Sequence, residues 1–211
     1  MPILERRTVR AKRSGGDPGA GLTKATVEER APEFDERTLV EAAQRGSQDA
    51  LAALYEHYFP RVYRYVAARL GGGEDAEDVT EEIFLRIINN LGRFTWRGLP
   101  FGAWVFRIAR NEVVSHVRKQ KSRGQSAELS ESIPDESVDH VMEIETQFTL
   151  AIVREATEKL PEAQRQVIAM RFTAGLSVAE TARALNKTEN NVKVLQHKAI
   201  AKLQILLREH R

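Results

Sequence analysis

The sequence contains no cysteine. That excludes disulfides, cysteine–zinc sites and thiol catalysis within the chain, and it leads us to expect a reducing, cytoplasmic setting. Aromatic residues are scarce, at 7%, and the runs of Val, Ile, Thr and Tyr that favour pleated sheets are missing. No stretch approaches the roughly 20 apolar residues of a membrane span. The basic start, MPILERRTVRAKRSGG, lacks the apolar centre of a secretory signal. The five histidines are scattered. There is no Gly-rich phosphate loop and no nucleophile beside a base, so neither an enzyme nor a cofactor is expected.

What is present is helical. Hydrophobic residues make up 42% of 211 positions, enough for one or two domains, and they recur at intervals of three and four almost throughout. The expected fold class is all-α, two small helical domains joined by a flexible acidic linker. The formal net charge of +2 says little, but its distribution says more. Arg107–Arg123 and Arg183–Arg211 are basic, whereas Glu128–Glu145 holds seven acidic residues and no Lys or Arg. Two basic surfaces flanking an acidic connector are implied.

Residues 1–34 are rich in charge, Gly and Pro, and are expected to form a disordered extension. The first domain is expected over 35–123. A short helix bears Leu39, Val40 and Ala43 and stops at Gly46. Ser47 then caps a longer one, which Pro60 should kink or divide. Gly71, Gly72 and Gly73 break the chain. A third helix over about 74–91 has the apolar face Val79, Ile83, Phe84, Ile87, Ile88 and Leu91. The loop GRFTWRGLP leads to a fourth helix, about 101–121. Residues 124–143, acidic and with Pro134, form the linker. The second domain is expected over 144–211, with Pro161 suited to the first position of a helix that ends near Ala174.

The stretch GLSVAETARALNKTENNVKVLQHKAIAKL is the most informative. Ser177 and Glu180 make a capping box. Val178, Ala182 and Leu185 face inward, Asn186–Lys187 makes a turn, and Thr188 caps a second helix with Val192, Leu195, Ile200 and Leu203 on its buried side. A capped short helix, a tight turn and a longer basic helix make a helix-turn-helix. The outward residues at the start of its second helix are Glu189, Asn190, Lys193, Gln196 and His197. Asn and Gln suit adenine edges, and Lys suits guanine or phosphate. The bland alternative is a helical hairpin with a solvated face.

The fourth helix carries Arg107, Arg110, Asn111, Arg118 and Lys119 and follows a loop with Arg93, Phe94, Trp96 and Arg97. Cations hold phosphates, and exposed aromatics stack on unpaired bases, a combination suited to single-stranded or melting DNA. Trp104, spaced among aliphatics, belongs to the core, and Trp96 is the better exposed aromatic. Phe94 either stacks or plugs the core. The acids Glu74, Asp75, Glu77, Asp78, Glu81 and Glu82 crowd the third helix. They could bind magnesium, stabilise the helix dipole or dock on a basic partner. No His joins them.

DAEDVTEEIFLRI, the aromatic loop and WVFRIARNEVVSHVRK, in this order, resemble the second conserved region of bacterial sigma factors. LPEAQRQVIAMRFTAGLSVAETARALNKTENNVKVLQHKAIAKL resembles the fourth. A short linker in place of the third region is similar to the extracytoplasmic-function group, over roughly Leu39–Leu207. The resemblance implies a transcription initiation factor that brings core RNA polymerase to promoter DNA. Asp75, Glu77, Asp78, Glu81, Glu82, Phe84 and Ile87 would bind the coiled coil of the largest polymerase subunit. Arg93, Phe94, Trp96, Arg97, Arg107, Arg110, Asn111, Arg118 and Lys119 would hold and melt the −10 element. Ser177, Thr188, Glu189, Asn190, Lys193, Gln196, His197 and Lys198 would read the −35 element, and the second domain would bind the polymerase flap. An anti-sigma factor is the expected regulator. The chain departs from the family pattern in its N-terminal extension and at Lys198, where Arg is common; Lys keeps the charge but loses the two-pronged phosphate grip. The rivals are a LuxR-like activator, which would need a receiver or ligand domain ahead of its helix-turn-helix, and a helical adaptor.

Overall fold

The structure, a computed structural model, describes residues 34–122 and 140–208, the latter stretch with side chains from Thr149 onward. Within them the chain is helical: α1 (Glu36–Gln44), α2 (Gln48–Leu70), α3 (Glu74–Leu91), α4 (Phe101–Ser122), α5 (His140–Glu158), α6 (Glu162–Ile168), a π-helical turn (Ala169–Thr173), α7 (Val178–Leu185) and α8 (Glu189–Arg208). The expected N-terminal extension, apart from the exposed Phe34, lies outside the described residues, as does the linker up to residue 139. The helix of the second segment starts at His140, inside the stretch assigned to the linker.

Local chemistry sets the boundaries. Asp35 caps α1 through the amide of Thr38 at 3.2 Å. Ser47 accepts from Ala50 N at 3.3 Å to start α2. Gly71 (φ +106°), Gly72 (φ +80°) and Gly73 (φ +73°) occupy the left-handed region that side chains avoid, so α2 ends there and α3 starts afresh. Pro60 does not divide α2, which runs unbroken from Gln48 to Leu70. Tyr58 and Val62 on either side of it are buried, and that burial outweighs one lost backbone hydrogen bond. The expected single helix before the helix-turn-helix is instead α6 plus a π-helical turn. The turn closes with Ala174 N donating to Ala169 O at 3.0 Å.

α4 lies against α2 and α3. Its strip Phe101, Val105, Phe106, Ala109 and Val113 is sealed from solvent, as are Val62, Tyr65 and Val66 of α2 and Ile83 of α3. Tyr65 and Phe106 meet edge to face at 6.0 Å, and burial pushes the Tyr65 hydroxyl up to about 12. Glu36 ties three helices together: its carboxylate accepts from the Tyr58 hydroxyl and from the amide of Gly102 at 3.2 Å. Ile88, expected on the apolar face of α3, is 43% exposed. The strip facing α2 and α4 is filled by Ile83, Phe84, Ile87 and Leu91, and Ile88 lies just off it.

The hydrophobic core does not stop at α4. Val167, Met170, Leu176, Ala182, Leu185 and Val192 join the same buried cluster, so from Asp35 onward the described helices pack as one unit. Phe106→Ala is expected to cost about 3–5 kcal/mol, and Ile88→Ala less than about 1 kcal/mol, read as shifts of the urea midpoint. Equal losses would contradict this placement of α3.

Candidate nucleic-acid interface

Three surfaces carry the residues singled out from the sequence. The first is α3. Its N-cap is Gly73, which offers no side chain to the orphan amides, and Glu74, Asp75 and Glu77 of the first turn supply negative charge there instead. Dipole stabilisation fades beyond that turn, so it does not account for Asp78, Glu81 and Glu82, all exposed. Asp75 has partners on α4: it accepts from Gln120 at 2.9 Å and lies 3.9 Å from His116. Among the described residues, Glu77, Asp78, Glu81 and Glu82 have no cation in ion-pair range.

Phe84 and Ile87, assigned to the polymerase-binding set, are 6% and 5% exposed. They belong to the α2–α3–α4 core and line the floor of an apolar hollow of about 280 Å³. Tyr55 and Ile88 stand at the hollow's rim, 42% and 43% exposed, and Leu85 is 61% exposed. Helical spacing put Ile88 on the buried face and passed over Leu85 as an apolar surface group.

The second surface is the 92–100 loop with the solvent side of α4. Gln44 fixes the loop by donating to the carbonyls of Leu91 and Phe94, both at 2.9 Å. Phe94 is not a free base-stacking ring. It is 6% exposed and packs on Trp96 at 5.0 Å, Phe101 at 5.2 Å and Trp104 at 5.2 Å. It plugs the end of the core where α3 and α4 diverge. Trp96, expected to be exposed, is half-buried. Its ring lies on Phe94, Arg37 sits 5.2 Å above it, and its indole N–H is buried without an acceptor among the described residues. Trp104 is a partly buried core residue, as its spacing indicates.

Arg93, Arg97, Asn111, Arg118 and Lys119 are exposed. Arg107 and Arg110 are engaged within the chain: Arg107 donates to Arg183 O at 3.0 Å, and Arg110 to Gln166 Oε1 at 2.7 Å. Sequence reasoning also passed over Glu112, whose side chain is 10% exposed on α4 and pairs with Arg86 of α3 at 3.1 Å.

The third surface is the helix-turn-helix. Both halves of the capping box are formed: Ser177 Oγ accepts from Glu180 N at 3.1 Å, and Ser177 N donates to Glu180 at 2.7 Å. Asn186 takes the left-handed conformation (φ 53°, ψ 49°), which Asn tolerates better than most side chains. Lys187 N closes the turn on Ala182 O at 2.8 Å. Thr188 Oγ1 accepts from Asn191 N at 3.2 Å, starting α8. Ser177 and Thr188 therefore act as caps, each keeping a hydroxyl proton to donate. Glu189, Asn190, Lys193, His197 and Lys198 are exposed on the first turns of α8. Gln196 is half-buried and accepts from Arg171 at 3.0 Å, which removes it from the open set.

Between the loop and α7 lies a cleft of about 520 Å³ with Arg93, Arg97, Arg107, Arg183 and Lys187 on its walls and no carboxylate. The cleft thus gathers five cations, and among the described residues no three His, Asp or Glu side chains gather as a metal site.

Comparison with known proteins agrees on both halves. The sigma-70 region 2 family model matches residues 54–123, and that of sigma-70 region 4 matches 150–203. The chain is 40% identical over 174 residues to the ECF RNA polymerase sigma factor BldN of Streptomyces coelicolor, a match covering 80% of this chain and 64% of that protein. It thus spans less than two thirds of that relative's length. It is 35% identical over 172 residues to the ECF RNA polymerase sigma factor SigD of Mycobacterium tuberculosis, covering 79% of this chain and 81% of SigD. In fold it is similar to CnrH, solved in complex with the cytosolic domain of CnrY, with TM-score 0.65, 24% identity and coverage of 83% and 99% of the two chains. It is likewise similar to the sigma factor RpoE of Bartonella quintana, solved with the anti-sigma factor NepR, with TM-score 0.58, 24% identity and coverage of 74% and 96%. Two region matches in chain order, and 35% identity to SigD across four fifths of that protein's length, establish that the chain belongs to the family of ECF RNA polymerase sigma factors.

Proposed function

We propose that this chain binds core RNA polymerase, recognises −35 and −10 promoter elements and assists strand opening, and that an anti-sigma protein holds it in check. The observation that carries the reading is the split of exposed chemistry between the two family-matched segments. One has a single-strand-type surface on α4 and its preceding loop. The other has a capped helix-turn-helix with an open polar first turn on α8.

Each surface has a role set by its chemistry. The α3 face, with Asp78, Glu81 and Glu82 beside the apolar Leu85 and Ile88, suits a basic helical partner and is assigned to the polymerase coiled coil. Flipping a base out of the duplex costs a few kcal/mol. Stacking of that base on Trp96, and a cationic track through Arg93, Arg97, Arg118 and Lys119, would offset that cost. Asn111 offers an amide that can both donate and accept at the strand edge. At the −35 element, α8 enters the major groove by its N-terminal turn. Asn190 and Lys193, exposed there, are assigned to base edges, and Ser177, Thr188 and Lys198 to phosphates.

The direct test mixes the purified chain with bacterial core polymerase and a library of upstream DNA fragments, and sequences the run-off transcripts. Start sites sharing a spaced −35/−10 pair, dependent on the chain, are expected. Binding to DNA alone as a dimer, with no transcript from a competent polymerase, would support the activator reading instead.

Two substitutions dissect the roles. Trp96→Ala and Asn111→Ala are expected to weaken promoter opening at least fivefold, read as permanganate reactivity of unpaired thymines, with polymerase affinity within twofold of the parent. An unchanged footprint in both would refute the −10 assignment. Lys193→Ala is expected to remove about 1–3 kcal/mol of discrimination at one −35 position. If promoters altered in that element respond identically with and without Lys193, the assignment fails.

A further inference from the structure

The second helix of the helix-turn-helix, α8, is seated by an apolar strip. Val192 and Ala199 are fully buried, and Leu195 is packed against the core cluster that contains Val192. The helix rests on α6 and α7. Apolar burial has no direction, so such a strip resists lifting more than it resists a roll about the helix axis. Base reading depends on that roll. Side-chain tips stand about 5–6 Å from a helix axis, and a roll of about 20° displaces them by about 2 Å. An N–H···O bond tolerates only about 0.5 Å. A recognition helix therefore needs a directional tie close to its DNA end.

Arg171 supplies that tie. It is the cation of the π turn and belongs to none of the DNA or polymerase sets assigned above. Its Nε donates to Gln196 Oε1 at 3.0 Å, and its Nη1 donates to the carbonyl of Leu176, one residue ahead of the Ser177 cap. A single guanidinium thus joins the π turn, the entry to α7 and the second turn of α8. The Leu176 end is itself fixed. Leu176 is 1% exposed, and its amide donates back to Met170 O at 2.9 Å. Gly175 makes that reversal at φ +70°, which side chains avoid. Farther along α8, the exposed Lys202 donates to Lys159 O at 2.9 Å. Of these two ties, the one at Gln196 lies nearer the DNA end, about 4.5 Å along the axis from Lys193 and about 9 Å from Asn190.

Gln196 acts as a strut in this arrangement. Arginine only donates, so the amide oxygen of Gln196 must face Arg171, and an amide that could otherwise turn either way is held in one orientation. Reading adenine by paired hydrogen bonds uses that same oxygen together with the amide nitrogen, and here the oxygen is engaged within the protein. Gln196 is also half-buried, whereas Asn190 and Lys193 are exposed.

We infer that Arg171 is a positioning residue for −35 recognition: through Gln196 and the Leu176 carbonyl it locks the roll of α8 against α7, and so decides which base edges Asn190 and Lys193 reach. The inference rests on the −35 reading proposed above. Lysine cannot replace Arg171, because one ammonium on a flexible stem does not span two acceptors in fixed directions as a planar guanidinium does. Loss of the tie leaves the apolar strip in place, so α8 stays folded and docked while its roll is freed. The effect then falls on several −35 positions at once, unlike that of Lys193→Ala, which falls on one.

Run-off transcription with the full chain, core polymerase and promoters randomised over the −35 element measures the base preference at each position. Arg171→Ala, Arg171→Lys and Gln196→Ala are each expected to flatten that preference at least threefold at two or more adjacent positions, at unchanged helical circular dichroism. The double variant Arg171→Ala/Gln196→Ala should be no flatter than either alanine single, because both remove the same tie. Gln196→Glu keeps an acceptor for Arg171, strengthened by charge, and loses the amide donor. It should hold the parent's ratios, even where total yield falls, and lose them when combined with Arg171→Ala. Should Arg171→Ala fail to fold, the Gln196 variants, which leave the π turn intact, carry the test. Ratios that survive loss of the tie while thermal stability drops would make it merely structural and overturn the inference. A Gln196→Glu chain whose preference changes at a single position, as a direct base contact requires, would overturn it as well. A parent that yields transcripts without any −35 preference would instead reject the −35 reading, and the positioning role with it.

Discussion

One helix carries two incompatible demands, and the rest of the molecule follows from how it meets them. α4 must bury Phe101, Val105, Phe106, Ala109 and Val113 against α2 and α3, and in the function proposed it must also carry Arg107, Arg110, Asn111, Arg118 and Lys119 toward DNA. A helix can do both only because 3.6 residues per turn put the two sets on different sides. The aliphatic strip fixes its position to within a side chain. The cations are therefore held on a rigid support, and Gln44 and Phe94 extend that support into the loop ahead of it.

The same packing brings cations of the first segment to acceptors of the second. Arg61 and Arg64 of α2 reach the carbonyls at the end of the π turn, Arg69 of α2 pairs with Glu162, and Arg110 of α4 meets Gln166. Carbonyls and a neutral amide dominate that set, with a single ion pair, and such contacts are individually modest.

Much of this was legible in the sequence because it is local chemistry. The caps at Ser47, Ser177 and Thr188, the glycine break after Leu70, the turn at Asn186–Lys187 and the helix-turn-helix all depend on residues within a few positions of one another. What escaped depends on contacts distant in sequence. Phe94 stands in a loop, and its burial is decided by Phe101, Trp104 and the clamp from Gln44. Ile88 looked apolar-facing because helical spacing gives the direction of a strip and not its width. Pro60 looked disruptive until both its flanks proved buried. The π turn has no short-range signature. Arg61, Arg64 and Arg69 were not singled out, since nothing near them in the chain announces residues 162–174.

In the function proposed, α3 meets polymerase and the first turns of α8 meet DNA. Hydrogen exchange on the chain, alone and then with core polymerase and a promoter fragment, measures both contacts directly. Backbone amides of α3 and of the first turns of α8 should slow on assembly, while those of α1, which belongs to neither proposed surface, should exchange as in the free chain. Equal protection of α3 and α8 in both states would contradict that function.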